Sequence, residues 1–107
     1  MLFLSIELPV LKHPVRMMHP YNITVNAKAK IGKNVEIYQG VTIGDKSSGA
    51  RAGVPTIEDD VCLYPNSVIV GAITIAKGAV IGPGAVVFHD VPAHVVMVGN
   101  PARRLKT

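Results

Sequence analysis

Few side chains in this sequence can do chemistry, and their types limit what that chemistry is. There are four histidines, His13, His19, His89 and His94, and a single cysteine, Cys62. One cysteine excludes an internal disulfide and fits a reducing compartment. It stands beside Leu63 in a patterned stretch, where a structural role fits better than nucleophilic chemistry. His89 and His94 lie five apart and suggest a zinc site, which needs three converging histidines and an open position for water. Neither His13 nor His19 is placed to complete that set, so no metal is expected. The cations are scattered rather than massed, from Lys12 and Arg16 through Lys28, Lys30 and Lys33 to Arg103, Arg104 and Lys106, for a net charge of +4. Without interleaved aromatics this argues against nucleic acid and suits a phosphate-bearing small molecule. Asp45 and Arg51 flank a Lys-Ser-Ser-Gly-Ala stretch and are candidates to contact a substrate.

The elements that must position these groups follow a period of six. Branched aliphatics stand at Val25, Ile31, Ile37 and Ile43, then at Ile57, Leu63, Ile69, Ile75, Ile81 and Val87. Four places after each comes a small or β-branched residue, such as Ala29, Val35, Val61, Ser67, Ala79 or Val91. Three places after most of them comes Asn, Gly or Asp: Asn34, Gly40, Asp60, Asn66, Gly78, Gly84 and Asp90. A helix repeats near 3.6 and a half-buried strand at 2, so neither explains six. A short strand, a corner and another strand do, because Gly, Asn and Asp tolerate positive φ at least cost. One such unit cannot bury its own aliphatic, so the units must stack into coils whose aliphatics form continuous columns.

The period predicts one β domain over 1–107, with a lead-in at 1–24, coils over 25–91 and a tail at 92–107. One long gap interrupts it between Ile43 and Ile57, and 45–56 is expected to be a flexible excursion from the coils. A long loop on a regular scaffold is more often functional than decorative. A short prism of this kind exposes flat faces and two ends, so an oligomer is expected. The apolar opening Met1–Ile6 is cut off by Glu7 and Pro9, far below the roughly 20 residues that span a bilayer. It also lacks the basic segment of a signal peptide. Packing over an end of the prism is its expected use, and a cytoplasmic protein without a transmembrane segment is expected.

The six-residue repeat resembles the left-handed parallel β-helix of the hexapeptide acyltransferases, in which three hexads make one triangular coil. The resemblance implies an all-β fold of about three coils, one protruding loop and a C-terminal extension. Tyr38-Gln39-Gly40-Val41-Thr42-Ile43-Gly44, the loop, Pro55-Thr56-Ile57 and the closing Val98-Gly99-Asn100-Pro101-Ala102-Arg103 look like serine acetyltransferases and their capsule-polysaccharide relatives. His19-Pro20-Tyr21-Asn22-Ile23-Thr24-Val25-Asn26 resembles that branch's histidine segment.

That resemblance implies acetyl transfer from acetyl-CoA to a hydroxyl of serine or a sugar, in a homotrimer with sites between subunits. His19 matches the catalytic position, and a histidine suits general-base work because its pKa lies near working pH. Serine acetyltransferases carry carboxylates where this chain has Leu4 and Met18; Glu7, in an Ile-Glu-Leu-Pro run like that of the capsule relatives, is the candidate to orient His19. Gly82 and Gly84 match corners along which the pantetheine arm lies, and Arg103 and Lys106 are placed for the CoA phosphates. Pro65 and Pro83 replace small residues there, and Val54 replaces the histidine before the loop-ending proline, which weakens serine as acceptor and brings a sugar level with it. The alternative is a catalytically inactive trimeric scaffold.

Overall fold

The computed structural model describes residues 4–6, 15–18 and 21–105. Among them the chain forms strands of two to four residues, as a six-residue unit with a corner dictates. In order these are β1 (Leu4–Ile6), β2 (Val15–Met18), β3 (Ile23–Val25), β4 (Lys30–Ile31), β5 (Val35–Tyr38), β6 (Thr42–Gly44) and β7 (Thr56–Ile57). They continue as β8 (Cys62–Leu63), β9 (Val68–Val70), β10 (Thr74–Ile75), β11 (Val80–Ile81), β12 (Val86–Val87), β13 (Val96–Val98) and β14 (Arg103–Arg104).

The strands stack into three sheets, the faces of a left-handed parallel β-helix. Face A is β1-β3-β6-β9-β12, face C is β4-β7-β10, and face B is β2-β5-β8-β11-β13 closed by β14. All pairs are parallel except β13 with β14, where the chain turns back across the edge of face B. Three coils have a strand on every face: β3-β4-β5, β6-β7-β8 and β9-β10-β11. β1 and β2 add a coil before them. A fifth follows in β12, Val91 (a single bridge to Ile75) and β13.

The core is the one the period specifies. Ile37, Ile43, Leu63, Ile69, Ile75, Ile81 and Val87 are fully buried, and so are Val35, Val41, Val61, Ala79 and Ala85 four places on. Burying each large aliphatic contributes about 1.5–3 kcal/mol. Since no single hexad can enclose its own, that gain appears only on stacking. Left-handed φ falls at Asn34, Gly40, Asp60, Asn66, Gly78 and Gly84, as expected. It does not fall at Asp90, for a reason visible in the register. Thr42 pairs with Thr24 and Val86 with Val68, each eighteen residues apart, whereas Val80 pairs with Val96, only sixteen on. Ile75 meets Val91, so the shortening lies between Val87 and Val91. Asp90 therefore stands beside Thr74 on face C instead of turning a corner. The left-handed position in this last coil falls to His94, φ 59, whose imidazole sits over Gly78 where a side chain would otherwise be.

Candidate functional site

Two of the three prism edges depart from regularity, and the chemistry-bearing residues gather there. At the B-to-A edge the corners Asn22, Gly40, Asn66 and Gly84 form one left-handed column. Each coil is tied to the one before it: the Gly40 amide donates to Tyr21 O (2.8 Å), Asn66 to Gln39 O (3.0 Å) and Gly84 to Pro65 O (2.9 Å). The first of these corners is longer than the rest. Met18 pairs with Tyr38, twenty residues on, while Thr24 pairs with Thr42, eighteen on. The two surplus residues in the sequence are His19 and Pro20. His19 itself, Glu7 and Lys106 lie outside the described residues.

Below this corner the same edge carries the other expected groups. Tyr38 and Tyr64 stack on the outer side of face B, ring centroids 4.9 Å apart. Gly84 is exposed, and a Cβ added to it would meet nothing within 4 Å, so its backbone is open to a close-lying ligand. Gly82 is different: it is buried, with Met97 O and Val98 Cγ1 each 3.1 Å from where its Cβ would be. It is a glycine because β13 packs over it, and it is not one of the left-handed corners. Arg103 lies exposed on β14, paired with Val98. From β2 to β14 the edge rises five strand spacings of about 4.8 Å, roughly 24 Å in all, which is comparable with an extended CoA molecule.

The A-to-C edge carries the excursion. The strand pairs that flank it are twenty-six residues apart, Thr42 with Val68 and Lys30 with Thr56. Instead of an open loop it is a closed hairpin: Lys46 and Gly53 exchange backbone hydrogen bonds, both 2.9 Å, and Lys46 Nζ donates to Ala50 O at 2.8 Å. Asp45 is exposed at its base. Arg51 takes φ 59, and its carbonyl accepts the amide of Ala72 at 2.8 Å. Its guanidinium donates to Asp90 Oδ1 at 3.0 Å, and the same oxygen accepts the Thr74 amide at 2.9 Å. The Thr74 N–H, ahead of the Arg51 charge, holds the Asp90 carboxyl below its ordinary range. Asp90 is the residue that the sequence did not point to, because its place beside Thr74 depends on the two-residue shortening.

The remaining titratable groups fall elsewhere. Burial, reinforced by Glu36 and partly opposed by a hydrogen bond with Tyr64, pushes the Cys62 thiol up and so keeps it protonated. His89 directs Nδ1 at Asp90 O (3.1 Å) and Nε2 at Ala102 O (3.3 Å), while His94 covers Gly78. The two do not converge. Among the described residues no group of three or more His, Cys, Asp or Glu could hold a metal ion. No helix there is long and apolar enough to cross a membrane.

Residues 55–89 match the family described as bacterial transferase hexapeptide (six repeats). A serine acetyltransferase of Bacillus licheniformis is 40% identical over 85 residues, which is 79% of this chain and 39% of the relative. A 2,3,4,5-tetrahydropyridine-2,6-dicarboxylate N-acetyltransferase of Staphylococcus aureus is 39% identical over 70% of the chain and 31% of its own length. Among solved structures, soybean serine acetyltransferase complexed with serine superposes with a TM-score of 0.79 at 37% identity, covering 85% of this chain and 37% of that one. A serine acetyltransferase in complex with CoA gives 0.76 at 32% identity, over 85% of this chain and 37% of that one. The chain thus spans about two-fifths of the length of the first of these relatives. In its repeat, its coil geometry and its kinship with serine acetyltransferases, the chain belongs to the hexapeptide-repeat transferases.

Proposed function

We propose that this chain is the β-helix of an acetyl-CoA-dependent O-acetyltransferase that transfers acetyl to a hydroxyl of serine or a sugar. The observation that carries this reading is the B-to-A edge. The two-residue surplus between Met18 and Tyr21, the open backbone at Gly84 and the exposed Arg103 follow that edge from coil to coil. Acetyl-CoA laid on that line would have its thioester at the His19 end and its phosphates at the Arg103 end, with Lys106 as a second phosphate contact. His19 acts as general base. It takes the acceptor's hydroxyl proton as the oxygen attacks the thioester carbonyl; the C–S bond then breaks, and the sulfur of CoA leaves with that proton.

Within one chain the corner at Asn22 and the excursion stand on different edges of the prism. Face A begins at the B-to-A edge with Ile23 and ends at the A-to-C edge with Gly44 in the next coil. Three residues of strand, about 10 Å, separate the edges. In this reading the site lies between neighbouring chains of a homotrimer, with His19 of one meeting the excursion of the next and Asp45 and Arg51 as the acceptor contacts. Half-buried outward valines on face A (Val68, Val70, Val86), with exposed Phe88, supply the apolar surface for such packing. Glu7, which lies outside the described residues, is the proposed orienting carboxylate. Ile6 precedes it and pairs with Val25 at the far end of face A, whereas Leu4 pairs with Ile23 beside the histidine corner. A cytoplasmic location goes with acetyl-CoA as donor.

Calorimetric titration with acetyl-CoA, at a protein concentration of known oligomeric state, tests this directly. Saturable binding near one site per chain is expected. A folded trimer that binds no acetyl-CoA would instead be a scaffold that keeps the coils without the chemistry.

A further inference from the structure

We infer that Asp90 is a positioning residue, one that fixes the excursion along the A-to-C edge through Arg51. The inference rests on the reading of the excursion as part of the acceptor site, and its test separates the two.

The excursion leaves the coil of β6 and lies down along the next two coils. It is held at three levels. At its base Lys46 and Gly53 pair with each other. One coil on, Arg51 O takes the Ala72 amide, and that carbonyl sits 2.9 Å from where a Cβ of Gly71 would be. Gly71, at φ 97, is thus the only residue type that lets the hairpin lie so close. One coil further, the Arg51 guanidinium reaches Asp90.

Arg51 thereby spends a left-handed backbone conformation, unfavourable for a non-glycine residue, at the point where the excursion touches the prism. Its side chain is 46% exposed and that of Asp90 59%, and an exposed ion pair alone holds little. Asp90 is not held by Arg51 alone, however. The Thr74 amide fixes Oδ1 before any guanidinium arrives, so the carboxylate is preorganised and less side-chain entropy is lost when Arg51 docks. The two-residue shortening of the last coil serves this arrangement, since an aspartate at a regular corner would stand out of line with Thr74. Residues 47–50 then form a short tip on a fixed base.

The test compares Arg51→Ala, Asp90→Ala and Asp90→Asn in the full chain. Hydrogen exchange is read at the amides of Gly53 and Ala72, and steady-state kinetics give KM separately for acetyl-CoA and for the acceptor. Arg51→Ala and Asp90→Ala should each lower protection at these amides about two- to fivefold, as loss of an exposed but preorganised pair implies. Amides of the core, such as that of Glu36, should be unmoved in both. Asp90→Asn retains an oxygen for Thr74 and should fall between wild type and Asp90→Ala. The acceptor KM should rise severalfold with the donor KM unchanged. Unaltered exchange at Gly53 and Ala72 in both alanine variants would overturn the inference. So would loosened amides with an unchanged acceptor KM. If the wild-type protein transferred no acetyl group at all, the proposed function would fail, and exchange alone would still decide whether Asp90 holds the hairpin.

Discussion

The C-to-B edge and the A-to-C edge of this prism are built from the same repeat and put to different uses. At the C-to-B edge every coil turns alike. Asn34, Asp60, Gly78 and His94 stack in left-handed φ, and the amides of Asp60, Gly78 and His94 donate to Lys33, Asp59 and Lys77 of the coil before. Carboxylates finish the corners: Asp59 accepts the Lys33 amide at 2.8 Å and Glu58 the Lys77 amide at 3.1 Å. Polar side chains there satisfy the backbone and nothing else. At the A-to-C edge no two coils turn alike. One throws out the hairpin and another is two residues short, and the groups left over, Arg51 and Asp90, bind each other. The difference teaches that in a periodic fold the regular edge carries stability, and departures from the period carry what the scaffold is for.

Paired substitutions break or sharpen that contrast. Gly78→Ala and Gly71→Ala both force a side chain into left-handed backbone against a crowded neighbour, the His94 ring in one case and the Arg51 carbonyl in the other. Each should cost about 1–2 kcal/mol from the conformation alone, measured by urea unfolding of the assembled protein. Only Gly71→Ala should also reduce acetyl transfer per folded chain, because it lifts the hairpin. Equal losses of turnover in both would erase the distinction between the edges.

A change inside the prism should be felt at neither edge. Ser67 stands in the inward column between Val41 and Ala85, fully buried, with no hydrogen-bond partner for its hydroxyl among the described residues. Ser67→Ala should raise stability by about 1 kcal/mol with turnover unchanged. A loss instead would show that the hydroxyl is satisfied in solution.

The smallest effect expected is that of acid on the hairpin. The Asp90 carboxyl titrates below its unfolded value, so its contribution is present above the ordinary carboxylate range and is lost as pH falls through the folded value. Hydrogen exchange at Gly53, corrected for intrinsic rate, should therefore accelerate below that range in wild type and not in Asp90→Ala. The C-to-B corners near Gly78 serve as the internal control.

Most of the fold was legible in the sequence because one residue in six has a single physical requirement. Ile37, Ile69 and Ile81 must be buried, and Asn34, Asp60 and Gly84 must tolerate positive φ. What the period could not give was register at its breaks. After Val87 the next coil closes two residues early, so Val91 takes the place matching Ile75, and Asp90 is a hydrogen-bond acceptor where a corner was expected. Arg51 and His94 adopt left-handed φ although neither is one of the Gly, Asn or Asp residues that the period sets at corners, since each is held by what it touches, Ala72 and Gly78. Gly82 shows the converse, a glycine whose smallness serves packing under Val98 and not a corner. The Tyr38–Tyr64 stack was invisible because the two residues are neighbours only once the hairpin between them is discounted. Of the candidate site, Gly84 and Arg103 were named from the resemblance, and their place along the B-to-A edge came from stacking, while His19, Glu7 and Lys106 lie outside the described residues.

The measurement that bears most directly on the central claim is acetyl transfer by His19→Ala, made alongside its affinity for acetyl-CoA. The account predicts a fall in turnover of about 10²- to 10⁴-fold, the usual contribution of a general base, with acetyl-CoA binding and trimer formation intact. Full transfer by this variant would show that the histidine corner is not where the hydroxyl loses its proton.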